Sequence, residues 1–87
     1  MEFEWDEAKR QANLAKHGLD FADVARLDWG TAAIRPDLRF DYGEDRFRAF
    51  CMLESELYSV AFTLRGSVFR IMSFRYANRK ERKLHAS

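Results

Sequence analysis

Two adjacent segments constrain this chain more than any other feature. Leu57 to Arg65 and Val68 to Arg75 are rich in Val, Ile, Phe and Tyr, and only Gly66-Ser67 separates them. Such residues suit a pleated, half-buried surface, and a two-residue link led by Gly fits a type II′ turn, so the pair reads as a β-hairpin. That turn pairs Arg65 with Val68, Leu64 with Phe69, and so on along the ladder. In this register Tyr58, Val60, Phe62 and Leu64 share a core face with Arg75, Ser73, Ile71 and Phe69, while Thr63, Arg65, Arg70 and Met72 share the other. The second face, with Phe74 and Val68 among arginines, suits a surface covered by RNA or protein.

An isolated hairpin is marginal in water, so the rest of the chain must supply further strands and cover for the apolar face. Phe3, Glu4 and Trp5 form a short opening strand that stops at Asp6, an N-cap. Ala8, Ala12 and Ala15 then recur at helical spacing up to His17, with Gly18 at the C-cap. Asp20 caps a second short helix carrying Phe21, Val24 and Ala25. Thr31 to Arg35 is a weak strand, a loop runs from Arg35 to Asp45, and Phe47, Ala49, Cys51 and Leu53 alternate with Arg46 and Arg48 as a strand. Glu54 to Glu56 is a polar turn. Asn78 with Glu81 forms a capping box that starts a C-terminal helix through Leu84. The expected fold is α+β: a short N-terminal strand, two helices, an antiparallel sheet of about four further strands and a C-terminal helix, in one domain spanning 1–87.

Composition limits what such a domain can do. At 87 residues the chain lacks the volume for a deep pocket around a large cofactor, which favours a shallow surface site or a partner interface. Its longest run free of charge, Leu57 to Leu64, is far short of a membrane span, and Met1 leads into acidic residues, so a cytoplasmic protein without membrane association is expected. Cys51 is the single cysteine, which removes an intrachain disulfide and a zinc set. The net charge of +1 hides an asymmetry: residues 1–45 hold 11 acidic against 6 basic side chains, and 46–87 hold 3 against 9. A basic second half attracts polyanions, or merely solvates a strand edge and a helix.

Arg65, Arg70 and Arg75 lie on or beside adjacent strands, and planar guanidinium groups can clamp a phosphate and stabilise charge on a phosphoryl intermediate. RNA cleavage needs no metal when the 2′-oxygen attacks its own phosphodiester. The other reading puts Arg65 beside a turn and Arg75 under the last helix. His17 and His85 could form an acid/base pair only if the ends of the first and last helices meet, and His17 otherwise stabilises a helix C-terminus. Tyr58 could stack on a base or sit at the rim of the core. Asp6, Lys9, Asn13 and Lys16 give the first helix a polar stripe, and Glu44 with Arg46 suits a turn-fixing ion pair. Metal-ligand spacings and nucleotide-binding loops are absent, so no cofactor is expected.

Phe3-Glu4-Trp5-Asp6, Lys9, Asn13, Lys16-His17-Gly18, Phe21, Gly43-Glu44, Arg46, Thr63-Leu64-Arg65, Arg70-Ile71, Arg75, Ala77 and Glu81-Arg82 together resemble the BrnT family of small bacterial toxins. The resemblance implies a RelE-like fold and a ribonuclease that halts translation. It also implies neutralisation by a BrnA-like antitoxin with a ribbon-helix-helix domain, through which the complex would reach operator DNA. Carried over by position, Arg65 and Arg75 become the catalytic residues. Lys16, His17, Arg46, Arg70 and Arg79 become RNA contacts, with Glu44 and Tyr58 in support. The hairpin register above puts Arg65 and Arg75 on opposite faces, so a shared site requires a β-bulge or a different pairing. Cys51 and Met52 stand where relatives are expected to carry glycine, Phe74 and Tyr76 flank Arg75 where Ala and Lys are more usual, and His85 stands near an expected Tyr. The competing reading is a non-catalytic binding module that acts in antitoxin binding and operon repression.

Overall fold

The computed structural model describes residues 1–39 and 41–86. Phe40, inside the loop expected from Arg35 to Asp45, lies outside the described residues. Strand β1 (Glu2–Trp5) stops at Asp6, whose carboxylate accepts the Lys9 backbone N–H and opens helix α1 (Glu7–His17). Gly18 closes the helix in the left-handed conformation that favours glycine, φ 71°, and donates its N–H to the Leu14 carbonyl. Asp20 caps the next element by accepting the Ala22 N–H and is clasped through both oxygens by Arg10 at 2.9 Å. That element, Phe21–Arg26, is a 3-10 helix rather than the α-helix expected, with its bonds running to the third residue back. Six residues with only two buried anchors, Phe21 and Val24, suit this tighter winding.

A second 3-10 turn (Trp29–Thr31) precedes strand β2 (Ala33–Pro36), so the predicted strand begins two residues late. Strands β3 (Arg46–Leu53), β4 (Glu56–Arg65) and β5 (Val68–Tyr76) follow, and helix α2 (Arg79–Ala86) ends the described chain. The five strands form one sheet in the order β1-β5-β4-β3-β2, antiparallel except for β1, which runs parallel to β5. The α+β layout matches the expected one, with β1 joining the four antiparallel strands at an edge. Gly66 alone has positive φ in the β4–β5 link, as a type II′ turn needs, whereas Glu54 and Ser55 both have positive φ between β3 and β4, as in type I′.

The hairpin register is the main correction. Arg65↔Val68 through Phe62↔Ile71 pair as expected, but the ladder then slips: Ala61 faces Ser73, Val60 faces Phe74, Ser59 faces Arg75 and Tyr58 faces Tyr76. Met72 is the extra residue of a β-bulge. Beyond it every side chain of β5 exchanges faces, because the side-chain period of a strand is two. Phe74, expected among the arginines, is 2% exposed in the core, while Ser73 and Arg75, expected there, face the other way. The core holds Phe21, Val24, Ala49, Cys51, Val60, Phe62, Ile71 and Phe74, with Trp29 packed against Phe3, Phe62 and Phe69. Burial pushes the Cys51 thiol up to about 12, so it packs as an apolar group.

What holds the bulged segment is Asn13. β1 pairs with β5 only as far as Ile71, which leaves Phe74 without a strand neighbour on that side. The Asn13 side chain takes that place: its Nδ2 donates to the Phe74 carbonyl at 2.8 Å and to the Leu19 carbonyl at 3.0 Å, and its Oδ1 accepts the Phe74 N–H at 3.0 Å. Helix α1 therefore turns an asparagine inward, while Ala8, Ala12 and Ala15, expected to form its buried stripe, are exposed. Asn13 is the helix's buried residue, not a member of a solvated or RNA-facing stripe with Lys9 and Lys16.

Asn13→Leu keeps the branched shape, with somewhat more bulk, but leaves the Phe74 N–H and C=O without the Asn13 amide in the interior. Stability should fall by about 2–3 kcal/mol, a drop in Tm of roughly 4–8 °C for each kcal/mol. A variant melting within about 2 °C of the parent would show that the amide does not hold the bulge.

Candidate functional site

The slip at Met72 decides which side chains meet. On the sheet face opposite the core, cross-strand pairing aligns Ala33, Phe50, Ser59 and Arg75 in one row and Arg35, Arg48, Ala61 and Ser73 in the next. Helix α2 leaves the end of β5 beside this face. Its start is the expected capping box: Glu81 N–H to Asn78 Oδ1 at 2.8 Å, and Asn78 N–H to Glu81 Oε1 at 2.9 Å. Between α2, these rows and the segment after β2 lies a cleft of about 340 Å³, whose lining includes Arg35, Asp37, Arg48, Phe50, Arg75, Lys80, Glu81 and His85, together with Leu38, Arg39 and Leu84.

Two guanidinium groups define its chemistry, and they differ. Arg75 is bidentate to Glu81, Nη1 at 2.8 Å and Nη2 at 3.0 Å, with Nη1 also donating to the Tyr76 carbonyl. Arg48 donates Nη1 to Ser59 Oγ at 2.6 Å and, among the described residues, makes no ion pair. Burial first, then the Arg75 and Arg39 charges, press Arg48 below the ordinary guanidinium value, and Asp37 and Glu81 only partly offset them. Arg75, the Asn78 N–H and the nearby Arg48 hold the Glu81 carboxyl below the usual carboxylate range, and Arg39 does the same for Asp37. A half-buried arginine crowded by other arginines and without a directly bound carboxylate among the described residues has the charge and the donors to take an external anion.

Of the residues singled out by sequence, Arg75 lines this cleft. Arg65 lies on the same face after the bulge but beside the hairpin turn, roughly 20 Å along the strand from Arg75, farther than the two side chains can close on one phosphate. Arg70 is bonded to Glu4 at 2.6 Å, across the β1–β5 ladder. Arg46 stacks on the Tyr42 ring at 3.9 Å and pairs with Glu44 at 3.4 Å, the ion pair expected. Arg46 and Glu44 line a second hollow with Asp41 and Asp45, which adjoins the cleft through Pro36, Asp37 and Leu38. Tyr58 sits on the core face against Phe74 and Tyr76, not opposite Arg75, and burial raises its hydroxyl above the ordinary value. Lys16 and Arg79 are exposed and outside the cleft lining.

His17 lies near enough to Arg75 to feel its charge. Burial first, then Lys16 and Arg75, lower its pKa from the ordinary imidazole value. His85, read from the sequence as half of a possible acid/base pair, is half-buried in the cleft wall. Sequence reasoning missed Arg48, Arg35, Phe50 and Lys80 as site residues and saw Glu81 only as a cap. The alternation along β3 does place Arg48 and Phe50 opposite the core, but the bulge that brings Arg75 to them leaves no mark in the hydrophobic pattern. Among the described residues no three His, Cys, Asp or Glu side chains converge to hold a metal ion, and no helix is long and apolar enough to cross a membrane.

A comparison with curated proteins finds no match. A family model described as the ribonuclease toxin BrnT of type II toxin-antitoxin systems matches residues 5–81, from the end of β1 to the Glu81 that holds Arg75. With nearly the whole chain matched, the protein belongs to the BrnT family of type II toxin-antitoxin ribonuclease toxins, and a protein antitoxin is its counterpart.

Proposed function

We propose that the cleft between α2 and the outer sheet face is the ribonuclease site, and that the chain is a metal-independent endoribonuclease that cleaves RNA and inhibits translation. The observation that carries this reading is Arg48: a half-buried guanidinium without an ion pair among the described residues, on the same face as Arg75 and its bound carboxylate with β4 between them. A phosphodiester bound there receives the charge stabilisation that the site's own acidic groups leave unfilled. In RNA the 2′-oxygen attacks the adjacent phosphorus, the bond from phosphorus to the 5′-oxygen breaks, and the products are a cyclic phosphate and a free 5′-hydroxyl. The 2′ proton goes to a base and the leaving oxygen takes a proton from an acid, a role for which His85 in the cleft wall is a candidate. Glu81 positions Arg75 and keeps its guanidinium plane fixed.

Arg65, Arg70 and Arg46 fall outside this assignment and serve at most to track the backbone of a longer RNA. A BrnA-like ribbon-helix-helix antitoxin is the proposed partner. By covering the cleft it would exclude RNA, and through its own domain it would carry the complex to operator DNA. The non-catalytic alternative predicts that overexpression without antitoxin is harmless.

Arg48→Ala should lower RNA cleavage by about 100-fold, the scale of removing one donor that stabilises transition-state charge. Arg48→Lys should recover only part of it, since an ammonium lacks the planar fork. Because Arg48 is crowded by like charge, the melting temperature of Arg48→Ala should hold or rise. Cleavage by a folded Arg48→Ala at the parent rate would sink the assignment.

Glu81 gives a pH dependence of opposite origin. Its carboxyl is held below its ordinary value of 4.5, so the stability it adds is present above that value and is lost as pH falls through the lowered one. Glu81→Gln, which loses charge-assisted bonds worth about 1–3 kcal/mol, should melt below the parent at pH 7, and the gap should close in thermal scans taken progressively below pH 4.5. A gap unchanged down to strongly acidic pH would show that Glu81 is not held by charge.

A further inference from the structure

Phe50 is the feature of the cleft that the phosphate reading does not use. It lies on β3 two residues from Arg48, about 6–7 Å along the strand and on the same face. Across the sheet it pairs with Ser59, which pairs with Arg75, so about 10 Å separates the Phe50 and Arg75 backbones. Phe50 is not among the hydrophobic side chains packed against the core. The other aromatic side chains of β3 to β5 that face inward are paired with one another in the core, as Phe47 with Phe62 and Tyr58 with Phe74 are. The Phe50 ring instead has the Arg35 guanidinium over it, 5.8 Å from the ring centre. Leu38, 83% exposed at the cleft edge, adds an apolar wall.

We infer that Phe50 and Arg35 form a base-binding platform beside the phosphate receptor, which takes an unpaired nucleobase of single-stranded RNA. The inference rests on the proposed phosphate site at Arg48 and adds its specificity element. Two planar groups that sandwich a base need about 7 Å between them at van der Waals contact. The gap under Arg35 is slightly short of that, and Arg35 is an exposed side chain on the edge strand β2, free of backbone cost when it shifts outward. Along the cleft the ring lies between the Arg35 guanidinium and those of Arg48 and Arg75, while the carboxylates of Asp37 and Glu81 are already engaged by Arg39 and Arg75, an arrangement that fits a nucleotide and its neighbouring phosphates better than an apolar protein segment. Stacking on a ring is possible only for a base that is not already paired, so the platform selects unpaired RNA over duplex.

The test is binding of a short single-stranded oligoribonucleotide made uncleavable by 2′-O-methyl groups, together with copies carrying one abasic residue at each position in turn, read by fluorescence anisotropy. The parent protein should bind the intact strand about tenfold more tightly than the copy abasic at one particular position, the scale of one base stacked on an aromatic side chain. Phe50→Leu should bind the intact strand about tenfold more weakly and lose the preference for it, while Phe50→Trp, which keeps a stacking face, should retain both. Melting curves of each variant establish that it is folded. If Phe50→Leu binds as the parent does while Arg48→Ala loses binding, the phosphate site stands and the platform is overturned. If Arg48→Ala also binds as the parent does, the site reading falls with it. Should Phe50→Leu weaken only the association with the antitoxin, the ring is a protein contact and the inference is wrong.

Discussion

The single extra residue in β5 is the constraint on which the outer face depends. A β-strand changes face at every residue, so inserting Met72 into the ladder exchanges inside for outside over the rest of the strand. Without it Arg75 would point into the aromatic core beside Tyr58, and Phe74 would be stranded among charges. The bulge is stable because its neighbour on the β1 side has a partner. Asn13, on a helix that contributes little apolar surface, supplies a donor and an acceptor to one backbone unit and so extends the sheet past the end of β1. A side-chain amide is the natural device here, since it offers the same pair of groups as a peptide.

Charge balance explains the division of labour in the cleft. A buried or half-buried cation is costly unless something answers it. Arg75 is answered fully by Glu81, and the same carboxylate also closes the α2 capping box, so one side chain fixes both the helix start and the guanidinium orientation. Arg48, among the described residues, has a serine hydroxyl in place of a bound carboxylate, and Asp37 and Glu81 offset its charge only in part. The paired arginine and the unpaired one are therefore not interchangeable: the first is preorganised and occupied, the second is held in place with its charge unspent. Preorganised donors in a partly dehydrated site are what phosphoryl chemistry requires of a protein, because the nucleophile in RNA is already attached to the substrate.

Much of the local structure was legible from residues alone. Asp6, Gly18, Asp20 and the Asn78-Glu81 pair mark element ends through bonds that involve only near neighbours, and each forms the cap its spacing implied. Gly66 selects its turn for the same reason. The inward face of α1 was misread, since three alanines at helical spacing resemble a buried stripe, yet small apolar side chains add little to burial and the polar Asn13 had the better reason to be inside. The second helix wound as 3-10 because two anchors govern a short segment more strongly than its pattern does.

The sequence by itself determined the α+β order of elements, the hairpin turn, the caps, the basic character of the second half and the likeness to BrnT toxins, all of which rest on local chemistry or on spacing along the chain. Only the tertiary structure decided which arginines meet. Arg65 and Arg75 are close in the hairpin's sequence yet roughly 20 Å apart along it, while Arg48 and Arg75, distant in sequence, lie two residues off register on the same face of the sheet with β4 between their strands. The physical reason is that a bulge is a property of two paired strands and the groups that brace them, and the bracing residue, Asn13, lies 61 positions away from Phe74.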